Sequence, residues 1–146
     1  MAKKQLFPVF DLPQEETQAE QKAERYKPSA YFDFARGDFR RDGANRIAPA
    51  DGKNAFIQWC LKAISTERMT RTGYHSDYGV ELEKLPSDRA EAESIIEREV
   101  REALMVNPAT EDVYGFDYTW EGDECLVTFT VKGYQWVEES VLSVRV

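Results

Sequence analysis

Residues 114–131 read YGFDYTWEGDECLVTFTV, and this stretch decides the class of the fold. Large apolar residues alternate with polar or small ones on both sides of Glu121–Glu124, at the period of two that is typical of half-buried strands. The alternating residues are Tyr114, Phe116, Tyr118 and Trp120 before the turn, and Cys125, Val127, Phe129 and Val131 after it. We therefore predict an antiparallel β-hairpin with one apolar face.

Two amphipathic helices are predicted before this hairpin. The first runs from about Lys53 to Ser65, with Asp51 or Asn54 as its N-cap. Its apolar face consists of Phe56, Trp59, Cys60, Ala63 and Ile64, which recur at helical spacing.

The second helix is predicted to start after Pro86, with Ser87 as its N-cap and Asp88 in its first turn. It stops at Asn107-Pro108, because a proline disfavours the helical conformation in the residue before it. Its apolar face consists of Ala92, Ile95, Ile96, Val100, Ala103 and Leu104.

Further strands are predicted at both ends of the chain. A pair of strands joined by a turn at Gly37 is predicted at Tyr31–Phe34 and Phe39–Arg41. A last strand is predicted from about Val137 to Val146. Together these elements predict an α+β fold, with two packed helices against a small, mostly antiparallel sheet.

Residues 1–28 are predicted to form an N-terminal extended arm, and residues 29–146 a single α+β domain. Leu6–Leu12 is a short apolar patch interrupted by Pro8, whereas Gln14–Lys27 is polar with almost no apolar face. Such an arm cannot pack as a core helix. Two interpretations stay open: a segment ordered by a partner, or plain disorder.

The charges of the chain exclude some classes of partner. The 146 residues carry a formal net charge of -8, which argues against a broad basic nucleic-acid face and against a polybasic membrane anchor. Residues 29–76 carry eight basic and five acidic side chains, whereas residues 77–146 carry six and seventeen. Such polarity suits a subunit with unlike neighbours on different sides, although simple solvation of the acidic half also explains it.

Metal and cofactor motifs do not occur in the sequence. Two cysteines, Cys60 and Cys125, and one histidine are too few for the four ligands of a structural zinc site. Phosphate-loop, dinucleotide-binding and zinc-protease motifs are missing, and no stretch approaches the roughly 20 apolar residues of a membrane span. We therefore predict no cofactor, no metal, no direct nucleic-acid contact and no membrane anchor.

Residues 65–82 are the most irregular part of the chain. Their glycines and polar residues exclude a long helix, and Gly73 and Gly79 are predicted to serve turns or a close backbone approach. His75 is the sole imidazole. It lies beside Tyr74 and Asp77, so we predict a hydrogen-bonded loop histidine rather than a member of a catalytic triad.

Glu67 is the candidate catalytic residue if the protein is an enzyme. It lies beside an apolar helix face, where a raised pKa would suit the general acid of a lysozyme-like peptidoglycan hydrolase. In the competing interpretation Glu67 pairs with Arg68 or Arg71 and fixes the turn. A third hypothesis is DNA mimicry by the acidic half of the chain. We favour a non-enzymatic protein without catalytic residues; lysis that disappears in Glu67→Gln would identify the hydrolase.

Five segments carry a family pattern. Residues 59–68 (WCLKAISTER) and 76–82 (SDYGVEL) resemble the XkdS-like baseplate proteins of PBSX-type prophages. Residues 32–39 (FDFARGDF), 92–98 (AESIIER) and 116–123 (FDYTWEGD) support the resemblance in the same order. More distantly, the chain resembles the baseplate wedge and sheath-initiator proteins of contractile tails.

The resemblance implies a structural baseplate component of a contractile phage tail, or of a phage-tail-like particle such as a bacteriocin. Its implied partners are baseplate wedge proteins, the base of the tail tube and the sheath subunit, with about six copies in a ring. A sheet edge would accept strands from the sheath by strand addition. The implied location is the host cytoplasm during assembly and then the baseplate of the particle.

The same resemblance supplies the interaction candidates. Those that align with the turn region of the family are predicted to shape the loop between the helices: Thr66, Glu67, Asp77, Tyr78 and Gly79. The distant relatives carry Glu-Pro-Arg after their long helix, in the joint with wedge proteins. Here that position reads Asn107-Pro108-Ala109, so the family's ion pairs are missing. The remaining candidates for contact with a partner are Val144 and Val146, on the last predicted strand.

Overall fold

The computed structural model describes residues 26–70 and 72–146, and within them it shows two helices and seven strands. The helices are α1 (Lys53–Ile64) and α2 (Arg89–Met105), and the strands are β1 (Ser29–Ala30), β2 (Phe32–Asp33), β3 (Asp38–Phe39), β4 (Pro49–Ala50), β5 (Thr110–Glu121), β6 (Glu124–Gly133) and β7 (Ser140–Arg145). This content confirms the predicted α+β class. The first 25 residues of the predicted arm lie outside the described residues, so the division at residue 28 stays a prediction.

The predicted hairpin is confirmed as β5 and β6, which pair antiparallel on either side of Gly122-Asp123. β7 pairs antiparallel with β6, and the resulting sheet has the order β5-β6-β7. Alternate residues of β6 are fully buried, as the pattern predicts: Cys125, Val127, Phe129 and Val131.

A β-bulge at Gly115 changes the predicted face of Tyr114. The register shifts after Tyr114, and Gly115 has a φ of 68°, a left-handed conformation that favours glycine. Val113 is fully buried, whereas Tyr114 pairs with Thr130 on the outer face of the sheet. The prediction that Tyr114 shares a face with Phe116 is therefore wrong, because apolar alternation does not reveal an inserted residue.

The N-terminal strands form two small sheets of their own rather than joining the C-terminal sheet. β2 pairs with β3 around Gly37, as predicted, and β1 pairs with β4. Asp33 Oδ1 stabilises the turn by accepting the backbone N–H groups of Ala35 and Arg36 at 3.0 and 3.2 Å. With only two residues in each strand, these pairs are local hairpin contacts.

Both helices lie where the spacing predicts, but their N-caps differ from the predictions. Gly52 precedes α1 and offers no side-chain cap, so neither Asp51 nor Asn54 fills that role. Asp88 caps α2 in place of Ser87, and its carboxylate accepts a backbone hydrogen bond from the first turn at 3.2 Å. An acidic cap also interacts favourably with the positive end of the helix dipole.

The core lies between the two helices and the inner face of the three-stranded sheet. Its largest fully buried side chains are Phe56, Phe129, Ile96, Leu104, Val100, Val113, Val127, Val131, Cys60 and Cys125. Both cysteines are free, and burial raises the pKa of the Cys60 thiol to about 12. Glu93 of α2 accepts hydrogen bonds from Tyr118 and Trp120, which attaches this helix to β5.

Candidate protein-interaction site

The irregular stretch forms a loop that is closed by two facing backbone segments, Thr66–Arg68 and Gly79–Glu81, which we call the loop neck. The backbone N–H of Arg68 donates to the Val80 carbonyl at 2.8 Å, and the N–H of Val80 donates to the Thr66 carbonyl at 2.9 Å. The neck thus brings together three of the predicted loop-shaping residues: Thr66, Glu67 and Gly79.

Gly79 allows the two segments of the loop neck to approach each other. Its φ is 98°, and a Cβ atom built on it would lie 2.5 Å from the carbonyl oxygen of Thr66. This geometry confirms the predicted close backbone approach. Gly73 differs, because a Cβ atom there would meet nothing within 4 Å and its φ is not positive.

A buried ion pair attaches the loop neck to α2. Arg68 Nη2 lies 3.4 Å from Glu99 Oε2, and the same nitrogen donates to the Gly79 carbonyl at 3.2 Å. Glu99 Oε2 also accepts the backbone N–H of Glu81 at 3.2 Å, and only 9% of the Glu99 side chain is exposed. A carboxylate that has lost its water needs such partners, so the pair fixes the neck on the helix. Arg68 therefore pairs with Glu99 and not with Glu67. Arg71, the other partner predicted for Glu67, lies outside the described residues.

Glu67 faces other carboxylates. Loss of hydration, a hydrogen bond with Glu83 and the charges of Glu83 and Glu81 raise the pKa of Glu67. A raised pKa suits a general acid, but the two carboxyl groups of a glycosidase stand about 5–10 Å apart with the sugar between them. Glu67 and Glu83 interact with each other directly instead, which is not the arrangement of such a catalytic pair.

The substitution Glu67→Gln is expected to raise the melting temperature at pH 7, because it removes a carboxylate that is repelled by its neighbours. The pKa of Glu67 is higher in the folded than in the unfolded chain. The folded carboxylate is therefore fully ionised, and fully repelled by its neighbours, only when the pH lies above this raised pKa. The gain should shrink as the pH falls through that value and vanish below about 4, where the unfolded group is also protonated. Thermal unfolding from pH 3 to 8 measures this.

The control for that experiment is Glu102→Gln, which removes one charge from the exposed face of α2. It corrects for the general effect of a less negative chain. A lower melting temperature for Glu67→Gln at pH 7 would contradict the prediction, because it would mean that the carboxylate makes favourable contacts.

His75 and Asp77 lie at the exposed tip of the loop. His75 Nδ1 is 3.3 Å from Asp77 Oδ2 and accepts the backbone N–H of Asp77 at 3.3 Å. The predicted hydrogen-bonded loop histidine is therefore confirmed. Within residues 26–70 and 72–146, no three His, Cys, Asp or Glu side chains cluster as metal ligands would, and neither helix is long and apolar enough to cross a membrane.

A groove of about 1360 Å³, which we call the aromatic groove, is lined partly by this loop. Tyr78 stacks on Tyr74 with ring centroids 4.6 Å apart and contacts Trp59 edge-on at 5.8 Å. Burial is the largest cause that raises the pKa of Tyr78 to about 12. Lys62 lies 5.1 Å from the centroid of Tyr74. Other walls come from the β2–β3 hairpin and the turn after α2, with Phe32, Phe34, Phe39, Asn107 and Pro108.

Asn107 links the start of the described chain to the turn after α2. Its Nδ2 donates to the Tyr26 hydroxyl at 3.0 Å, and the Tyr26 ring packs edge-on against Phe56 and Trp136. Burial raises the pKa of Tyr26. Tyr26 lies within the predicted arm and nevertheless packs on the core. Buried Asn107 is therefore a structural link, whereas the adjacent Pro108 is exposed on the wall of the groove.

β7 lies at an edge of the three-stranded sheet. Cys125 and Val146 exchange two backbone hydrogen bonds of 2.9 Å, and directly opposed antiparallel pairs alternate between bonded and non-bonded types. The backbone groups of Val144 and Val146 therefore point toward β6. Those that point away from β6 belong to Val141, Ser143 and Arg145. These three residues could not be identified from the sequence, because apolar alternation does not show which backbone groups of a strand point toward its neighbour.

The candidates from the sequence thus fall into three groups. Thr66, Glu67 and Gly79 lie in the loop neck, with Asp77 at the tip of that loop. The aromatic groove is lined by Tyr78, Asn107 and Pro108, and strand β7 with its extension holds Val144 and Val146. Their roles as partner contacts stay predictions.

A family model described as contractile injection system sheath initiator matches residues 29–135. The matched range starts at β1 and ends after β6, so it contains both helices, the loop neck and most of the aromatic groove. No curated protein matches the chain in a sequence comparison.

Proposed function

This chain belongs to the contractile injection system sheath initiator family, and from that membership we propose that it starts sheath assembly by adding a sheath strand to β7. Proteins of this family are structural components of a contractile tail baseplate. The proposed step is β-augmentation, in which an incoming strand forms main-chain hydrogen bonds with a free sheet edge. The supporting observation is that Val141, Ser143 and Arg145 direct their backbone groups away from β6.

The other edge of the sheet is less suited to strand addition. β5 carries two register irregularities, one after Thr110 and one after Tyr114, and bulges of this kind protect an edge strand from pairing. β7 pairs with β6 in unbroken register from Ser140 to Arg145, and it contains neither proline nor glycine. β7 is therefore the edge that best fits an added strand.

The resemblance and the charge distribution support a proposal about the wider assembly. We propose that about six copies form a ring on the baseplate, where they contact wedge proteins and the base of the tail tube. Residues 77–146 carry six basic and seventeen acidic side chains, whereas residues 29–76 have a basic excess. Such polarity supports a fixed orientation between unlike neighbours. Assembly would take place in the host cytoplasm before the particle is complete.

The substitution Ser143→Pro tests strand addition. Ser143 stands opposite Thr128 in a non-bonded pair, so its N–H points outward and a proline removes that donor without breaking the β6–β7 ladder. We expect cells that produce Ser143→Pro to assemble baseplates and tubes with little or no sheath. Electron microscopy of purified particles, scored for sheathed and bare tubes, measures the effect.

Ser143→Val is the matched control. It loses the same contact between the Ser143 and Thr128 hydroxyls at 3.3 Å, but it keeps the backbone N–H. Sheathed particles in normal number are expected for this variant. Thermal unfolding of both purified variants checks that each is folded. Normal sheaths on a folded Ser143→Pro protein would show that strand addition at β7 is not the initiating step.

A further inference from the structure

Several aromatic side chains on the walls of the aromatic groove remain partly exposed. Three aromatic side chains on its walls are between 40% and 44% exposed: Phe34, Phe39 and Tyr74. Phe32 contacts Phe34 and Phe39 edge-on at 5.1 and 5.2 Å, so the β2–β3 hairpin presents an aromatic wall. Concave apolar surfaces of this kind are typical of binding sites.

The chain enters the described fold at this groove. Tyr26 is one of the residues that line it, and its ring is held by Phe56 at 5.9 Å and by Trp136 at 5.8 Å. Its hydroxyl is fixed by Asn107. The 25 residues before Tyr26 are therefore connected to the wall of the groove itself.

Leu6–Leu12 is the apolar part of that preceding segment, with the sequence LFPVFDL. Pro8 and the following Pro13 favour extended backbone, and aromatic-lined grooves are a common site for extended, proline-containing segments. The segment carries a single charge, on Asp11. Two of the residues that line the groove, Lys27 and Lys62, carry the positive charge that would attract Asp11.

We propose that Leu6–Leu12 binds in the aromatic groove of the same molecule, with Phe7 and Phe10 as its anchors. The 13 residues from Pro13 to Arg25 connect the segment to Tyr26, and a random coil of 13 residues would have an r.m.s. span of about 20 Å. A tether this short gives an effective concentration of about millimolar, which favours binding within the molecule. This site is separate from the strand edge of β7.

A spin label at the N-terminus of the full-length chain tests the proposal. The Lys4→Cys variant is labelled with a nitroxide; Cys60 and Cys125 are fully buried, so the native protein is labelled at the new cysteine. In the ¹⁵N-labelled protein, the backbone amides of Phe34, Tyr74 and Ala109 are expected to lose most of their intensity relative to the reduced label. Gln14→Ser with Gln18→Ser should keep this loss, whereas Phe7→Ser with Phe10→Ser should abolish it.

A mixture of ¹⁵N-labelled protein without the spin label and unlabelled protein with it distinguishes the source of the segment. No intensity loss is expected in this mixture. Equal loss in the mixture would assign the segment to a neighbouring copy and overturn binding within one molecule. The proposal is also overturned if the groove amides keep their intensity in the parent chain, or if the phenylalanine variant behaves like the glutamine variant.

Discussion

The substitution Gly79→Ala is expected to lower the free energy of unfolding by about 3 kcal/mol, because it adds backbone strain and a steric clash at one position. The φ of 98° is a conformation that alanine rarely adopts, and the new Cβ atom would lie 2.5 Å from the Thr66 carbonyl oxygen. Relief of that clash requires the two segments of the loop neck to separate. For a chain of this length the melting temperature should fall by roughly 10 °C, measured by thermal unfolding.

Gly73→Ala is the control, since it makes the same chemical change in the same loop. A Cβ atom at Gly73 meets nothing within 4 Å, so the variant should unfold within about 0.5 kcal/mol of the parent. Hydrogen exchange gives a second readout. The amides of Arg68 and Val80, which form the bonds of the neck, should lose protection in Gly79→Ala only. Equal stability of the two variants would refute the close approach at Gly79.

The elements that depend on apolar periodicity could be predicted from the sequence. The alternation around Gly122-Asp123 gave the β5–β6 hairpin, and the helical spacing gave α1 to within a residue. Both patterns repeat over ten or more residues, so one exception does not hide them. The candidate site was predicted only in part. Gly79 could be identified as a residue of close approach, because glycine in an irregular segment often serves this role.

The parts that were missed depend on single contacts. The bulge at Gly115 moves Tyr114 to the other face of the sheet, and no periodic pattern records it. Arg68 and Glu99 are 31 residues apart, and Arg68 had nearer acidic neighbours in the sequence, so only the fold selects this pair. The outward direction of the Ser143 backbone N–H is likewise fixed by one hydrogen-bonded pair, Cys125 with Val146, at the end of the sheet. Contacts of this kind require the three-dimensional arrangement.

The substitution Arg68→Ala is expected to lower the free energy of unfolding by about 3 kcal/mol, because it removes the more buried of the two arginines beside the buried carboxylate of Glu99 and leaves only the exposed Arg98. Only 9% of the Glu99 side chain and 21% of the Arg68 side chain are exposed, so water cannot fully replace the guanidinium. The Gly79 carbonyl loses two hydrogen bonds of 3.2 and 3.3 Å in the same variant. Denaturant unfolding at pH 7 measures the change.

Arg98→Ala provides the matched control, because Arg98 approaches the same carboxylate, at 3.6 Å, while 62% of its side chain is exposed. An exposed pair contributes about 0–1 kcal/mol, so this variant should be close to the parent. The double variant Arg68→Met with Glu99→Met should lose less than the two single changes together, since it buries no unpaired charge. Equal effects of Arg68→Ala and Arg98→Ala would contradict the argument. They would mean that burial does not distinguish the two arginines, and that the Arg68–Glu99 ion pair does not fix the loop neck on α2.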